Sequence, residues 1–241
     1  PGFPLHARGM TRQPTPDTAS RPRVFDGLLL LAALAVLGVV ARIVFFTPYE
    51  ANQGAAQKIY YIHVPAAMSA YFALFVVAIM SIVYLWLHDE RADRLAESSA
   101  EVALVFTTVV LVTGPLWAKP IWNTWWSWDA RLSLTLFLWF VTASYLVLRG
   151  AVDDHMMRAR YSAVLGVLAA LLIPFIHLSV YLFRTLHPMP IVLKPGEPSL
   201  PREMLETFTL SVLSFWAFGI ALIRARYRLA VTAAAGGDAD A

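Results

Sequence analysis

The 241-residue sequence contains no cysteine. This excludes disulfide bonds, thiolate metal sites, thiol chemistry and covalent attachment of a cofactor through paired thiols. Charge is also scarce, with Asp, Glu, Lys and Arg making up only 15% of the residues, while 59% are hydrophobic. An ordinary soluble domain cannot hide that much apolar surface, so the composition predicts an integral membrane protein. Residues 1 to 24 are polar and rich in proline and arginine, with no short apolar run ahead of a small-residue cleavage site. They read as a disordered cytoplasmic tail with Met10 as the natural start, and the first span is expected to act as its own signal. There is no internal repeat of the kind found in inverted-repeat transporters, and few ionisable residues fall inside the apolar runs, which disfavours an ion-coupled transporter.

Apolar runs long enough to span a membrane occur at 25–46, 64–87, 101–118, 131–149, 161–182 and 207–224. About 20 apolar residues cross a hydrocarbon core, so the predicted fold is all-α, a polytopic membrane protein with six transmembrane helices. Gly114 and Pro115 are expected to loosen the far end of the third span. The net charge of +3 has a membrane explanation: 12 of the 19 cations lie in the two ends of the chain and in the second and fourth loops. The positive-inside rule puts these in the cytoplasm with both termini, and nucleic acid is not an expected partner. The first, third and fifth loops then face outward, at 47–63, 119–130 and 183–206. The fifth carries Pro188, Pro190, Pro195, Pro198 and Pro201 and is expected to form an extended strap.

The third loop holds Trp122, Trp125, Trp126 and Trp128 within seven residues, ending at Asp129. Tryptophans commonly belt a membrane interface, yet they rarely cluster this densely. A helical segment would bring Trp122, Trp125, Trp126 and Asp129 to one face at i, i+3, i+4, i+7 spacing, making a flat aromatic platform. Asp129 is also well placed to cap the fourth span. His63, two residues before Pro65, opens the second span on the outer side. At about 1.5 Å per residue from Tyr161, His187 lies roughly 39 Å along the fifth span and beyond the hydrocarbon, whereas His177 lies roughly 24 Å along and inside it. His6, His88 and His155 read as solvated. A single membrane-face histidine is more often a hydrogen-bonding residue than a ligand. Two facing imidazoles beside an aromatic platform, however, suit haem iron or another transition metal. Lys58, Lys119, Arg131 and Arg184 are outer-side cations that the positive-inside rule does not predict, and they are candidate partners for haem propionates.

The segments YIHVPAA around His63, TGPLWAKPIWNTWWSWDARLS from Thr113 to Ser133, and PFIHLSVYLFRTLH ending at His187 resemble the CcmC family of cytochrome c maturation, over about Phe25 to Arg228. The resemblance implies a six-helix haem-handling domain over 25–228 with a tryptophan-rich loop at 117–130, and a disordered tail at 229–241. It implies a protein that is not an enzyme: haem b, held non-covalently and transiently at the outer face of the inner membrane, is passed to the haem chaperone CcmE. Implied partners are the ABC transporter subunits CcmA and CcmB, the small membrane protein CcmD and lipid. His63 and His187 would be the axial ligands; Trp117, Trp122, Trp125, Trp126, Trp128 and Asp129 would line the haem, with Lys58 and Arg131 nearby. Three positions depart from the family pattern: Asn123 and Ala118 where glycine is customary, and Lys58 where arginine is familiar. Asparagine is the non-glycine residue best suited to left-handed backbone, and alanine is less so. A b-type electron-transfer cytochrome and a permease or structural subunit are the alternative readings.

Overall fold

The computed structural model describes residues 26–192 and 194–237; the expected tail at 1–24 lies outside them. Among the described residues there is no β-strand, and six helices are long and apolar enough to cross a membrane. These are α1 Gly27–Phe45, α2 Tyr60–Leu87, α3 Glu90–Trp122, α4 Ala130–Ala151, α5 His155–Leu182 and α6 Arg202–Gly237, with a 3-10 turn at Ala55–Ile59 leading into α2. Four helices start on an aspartate whose carboxylate accepts from a first-turn N–H: Asp26 from Leu28, Asp89 from Arg91, Asp129 from Leu132 and Asp154 from Met157. Each cap satisfies an N–H that a helix start otherwise leaves unpaired.

Two elements differ from the sequence expectation. Helix α3 begins at Glu90, well before 101, because Asp89 caps it, Glu90 and Asp93 complement its dipole, and its buried carboxylates find a cation. It then continues through Gly114, Pro115 and Pro120 to Trp122; a membrane helix tolerates proline where neighbouring helices and hydroxyl side chains compensate. Helix α6 continues past Arg228 to Gly237, so residues 229–237 are helical rather than a disordered tail. The run Leu229-Ala230-Val231-Thr232-Ala233-Ala234-Ala235 is alanine-rich and favours a helix.

Helix α2 is the central element and packs against α3, α5 and α6, while α1 leans on α6. Ala66, Ala70 and Ala73 bury one stripe of α2 against Phe106, Leu138 and Ile176, the small side chains allowing close helix approach. Gly166 lets α5 come nearer still, since a Cβ there would sit 2.7 Å from Ser81 Oγ and Val77 Cγ1. Large apolar side chains such as Leu31, Phe75, Val147 and Phe175 cover the perimeter, as suits a surface facing lipid.

The connections segregate the charges. At the end of the bundle where α2 passes to α3 and α4 to α5, Arg149 bonds both carboxylate oxygens of Asp93 at 2.7 Å and Glu97 at 2.9 Å. The Arg149 and Asp93 side chains are only 6% and 5% exposed. Nearby, Arg224 and Arg228 meet Asp26, and Arg226 meets Glu101. The opposite end carries the tryptophan-rich connection between α3 and α4 and the strap between α5 and α6.

Candidate functional site

At the tryptophan end, a cavity of about 330 Å³ is lined by α2, α3, α4, α5, Phe208 of α6 and the three outer connections. His63, His187, Trp117, Trp122, Trp126 and Arg131 all line it. Six residues expected from scattered parts of the sequence therefore share one largely apolar chamber. His177 of α5 and Gln53 and Gln57 of the first connection also line it.

Hydrogen bonds fix how each outer histidine presents its ring. The hydroxyl of Thr113 donates to Val109 O at 2.7 Å. A hydroxyl has one proton to give, so Thr113 Oγ1 accepts from His63 Nδ1–H across 2.9 Å. In His187, Nδ1–H donates to the Pro188 carbonyl at 2.9 Å, which can only accept. Nδ1 of each ring is thus engaged, and Nε2 is left as the free ring nitrogen. Anchoring one nitrogen in this way fixes the direction in which a histidine presents the other. Burial holds the His187 imidazole down to about 4, with a further push from Arg131 and partial opposition from the Pro188 carbonyl and Asp129. His187 is thus neutral at physiological pH.

The tryptophan segment is not helical, which corrects the flat-platform expectation. Helix α3 ends at Trp122, and Asn123 turns the chain with φ +55° and ψ +20°. Asparagine thus holds the left-handed turn. Beyond it, Thr124 Oγ1 donates to Trp126 O at 2.9 Å and Ser127 Oγ to Asp129 Oδ2 at 2.9 Å; such local side-chain bonds compete with helical ones. The rings separate into two edge-to-face pairs, Trp117 with Trp122 at 4.8 Å and Trp126 with Trp128 at 5.7 Å. Trp117, Trp122 and Trp126 wall the cavity, whereas Trp125 and Trp128 are 56% and 77% exposed and lie outside its lining. Ala118 is inside α3 and buried, a position where alanine is favoured and left-handed backbone is not required.

The cations and acids divide similarly. Arg131 reaches the cavity with its Nη1 buried and without a hydrogen-bond partner among the described residues, as is the indole N–H of Trp126. Lys58 does not reach it: Nζ donates to Val44 O at 2.8 Å and lies 4.4 Å from the Tyr49 ring centroid. The carbonyls at the end of α1 attract the ammonium away. Lys119 reaches back to Asn123 Oδ1 at 3.2 Å, bracing the turn, and Arg184 is exposed. Asp129 caps α4 through Leu132 N at 3.0 Å and lies outside the lining.

Sequence reasoning passed over Gln53, Gln57 and Thr113. Gln53 Oε1 accepts from Trp117 Nε1 at 3.0 Å, so the first connection orients a tryptophan in the last turns of α3. The available signal was two glutamines four residues apart, shortly before His63.

The chain matches one family of known proteins over most of its length. The family model described as CcmC, Heme exporter protein C, matches residues 13–238. The Heme exporter protein C of Haemophilus influenzae is 33% identical over 208 residues, covering 85% of this chain and 81% of its own. That of Bradyrhizobium diazoefficiens is 37% identical over 185 residues, 75% and 69% of the two chains. The Escherichia coli K12 protein is 37% identical over 145 residues, 59% and 58%. A match over most of the chain, by sequence and across every element that builds the cavity, makes this protein a member of the CcmC, or Heme exporter protein C, family.

Proposed function

We propose that this protein is a haem-handling component of cytochrome c maturation that holds haem between His63 and His187 and releases it to an acceptor protein. The carrying observation is that both imidazoles line one cavity with Nδ1 already engaged, at Thr113 and at the Pro188 carbonyl, which leaves Nε2 as the remaining ring nitrogen of each. Axial ligation of haem iron uses such a nitrogen. The remaining lining suits the macrocycle. Trp117, Trp122 and Trp126 supply aromatic walls, and the unpaired donors of Trp126 and Arg131 suit a carboxylate, Arg131 through a charge-assisted bond. The proposed ligands come from a helix start and a non-helical connection rather than two facing helices, an arrangement that suits release. It favours transfer over a permanent electron-transfer haem buried within the bundle.

In this reading both termini are cytoplasmic and the cavity faces the outside of the inner membrane, consistent with the basic residues at the opposite end. Haem b is the cargo, bound non-covalently, with the chaperone CcmE as acceptor. The transporter subunits CcmA and CcmB and the small protein CcmD are the proposed assembly partners.

The test is spectroscopic. The purified protein should bind haem with a low-spin bis-imidazole Soret spectrum, and His63→Ala or His187→Ala should each abolish that spectrum and weaken binding. Wild-type spectra and affinities in both variants would sink the assignment.

A further inference from the structure

Haem carries two propionates, and Arg131 with Trp126 accounts for one. Lys58, the cation nearest His63 in the sequence, is committed to Val44 O and the Tyr49 ring. Its chain neighbour Gln57 instead lines the cavity and is only 4% exposed. Gln57 Nε2 donates to the hydroxyl oxygen of Tyr61 at 3.2 Å, while its buried Oε1 has no hydrogen-bond partner among the described residues. Tyr61 is 0% exposed, and its hydroxyl makes no other hydrogen bond among the described residues. This arrangement leaves a carbonyl oxygen and a phenolic proton both unsatisfied, a costly state for buried groups.

A half-turn of the amide about its last side-chain torsion resolves both. Tyr61 O–H then donates to Oε1, and the Nε2 protons are released for an acceptor in the cavity. That torsion is soft and roughly two-fold, so the turn needs no movement of the backbone. Gln53, the other glutamine of this connection, is not free to do the same, because its Oε1 holds Trp117.

We propose that Gln57, braced by Tyr61, is a second carboxylate-binding residue of the cavity and donates to the haem propionate that Arg131 does not hold. This rests on the haem reading above. A neutral amide grips a carboxylate less tightly than a guanidinium. The two propionates are therefore held unequally, and the one at Gln57 is the first to let go during transfer.

The experiment titrates the purified full-length protein with iron protoporphyrin IX and with its dimethyl ester, following the Soret band. Wild type should prefer the free acid. Gln57→Leu should weaken the free acid about tenfold, as expected for loss of a hydrogen bond to a charged group, and leave the ester unchanged. Gln57→Glu, close in size and placing a carboxylate against the propionate, should weaken the free acid more than the ester. An unchanged preference for the free acid in either variant would overturn the role of Gln57 alone. Failure of the wild type to bind either porphyrin would overturn the haem reading with it.

Discussion

Gly114 of α3 lies directly against His63 of α2: a Cβ built on Gly114 would come within 3.4 Å of the imidazole Cε1. That is ordinary contact distance, so Gly114→Ala should fit and also favour the helix by roughly 0.5–1 kcal/mol. Gly114→Val adds branches that must displace the ring. Soret spectra should be nearly unchanged for the first variant and lose the bis-imidazole form in the second; normal spectra in the valine variant would show that the ring position is not critical.

Thr113 fixes the His63 tautomer. Thr113→Val keeps the shape but removes the acceptor for Nδ1–H, and haem affinity should fall about 10–100-fold, the usual cost of losing the hydrogen-bond partner of a ligating histidine. Thr113→Ser should recover most of it. Equal affinities across the three proteins, measured by haem titration, would show that the tautomer is held by something else.

The tryptophans should separate by position. Trp126→Phe removes a buried, unpaired N–H and should weaken haem binding about tenfold. Trp125→Phe and Trp128→Phe alter rings outside the cavity lining, and their affinities should match wild type. A uniform loss across all three would restore the single-platform expectation.

Arg131→Ala should weaken haem binding strongly, and Arg131→Lys should rescue it only in part because the planar fork is lost. Lys58→Ala and Lys194→Ala should leave affinity unchanged, since Lys58 is held by Val44 O and Lys194 by Ser199. Comparable losses for Arg131→Ala and Lys58→Ala would contradict this division of roles.

At the other end of the bundle, Arg149→Leu strands two carboxylates. Breaking a buried pair costs about 3–5 kcal/mol, so the variant should unfold at markedly lower temperature in detergent. Adding Asp93→Leu and Glu97→Leu should restore much of the loss, because replacing a whole buried ion cluster with apolar groups is often near neutral. A triple variant as unstable as the single one would mean that packing, not charge, holds this end.

The number of helices was legible in the sequence because hydropathy reports spans directly, and His63, His187 and Arg131, expected near one another, line one cavity. The course of residues 122–129 was not. Their spacing fits a helix face, but Asn123, Thr124 and Ser127 spend their hydrogen bonds locally and break it. Lys58, expected near the haem, has its ammonium outside the cavity lining for a related reason. Sequence puts it beside the site, whereas the free carbonyl of Val44, distant in the chain, decides where its ammonium goes. The start of α3 was hidden because its carboxylates look unsuited to a membrane helix until Arg149 is seen to neutralise them.

The same ion cluster bears on the cavity from a distance. Arg149 of α4 holds Asp93 and Glu97 of α3 at one end of the bundle, and the tryptophan-rich segment joins the same two helices at the other. The pair is therefore pinned at both ends, so an ion cluster remote from the cavity helps to set the spacing between the helix that carries Trp117 and Trp122 and the one that carries Arg131.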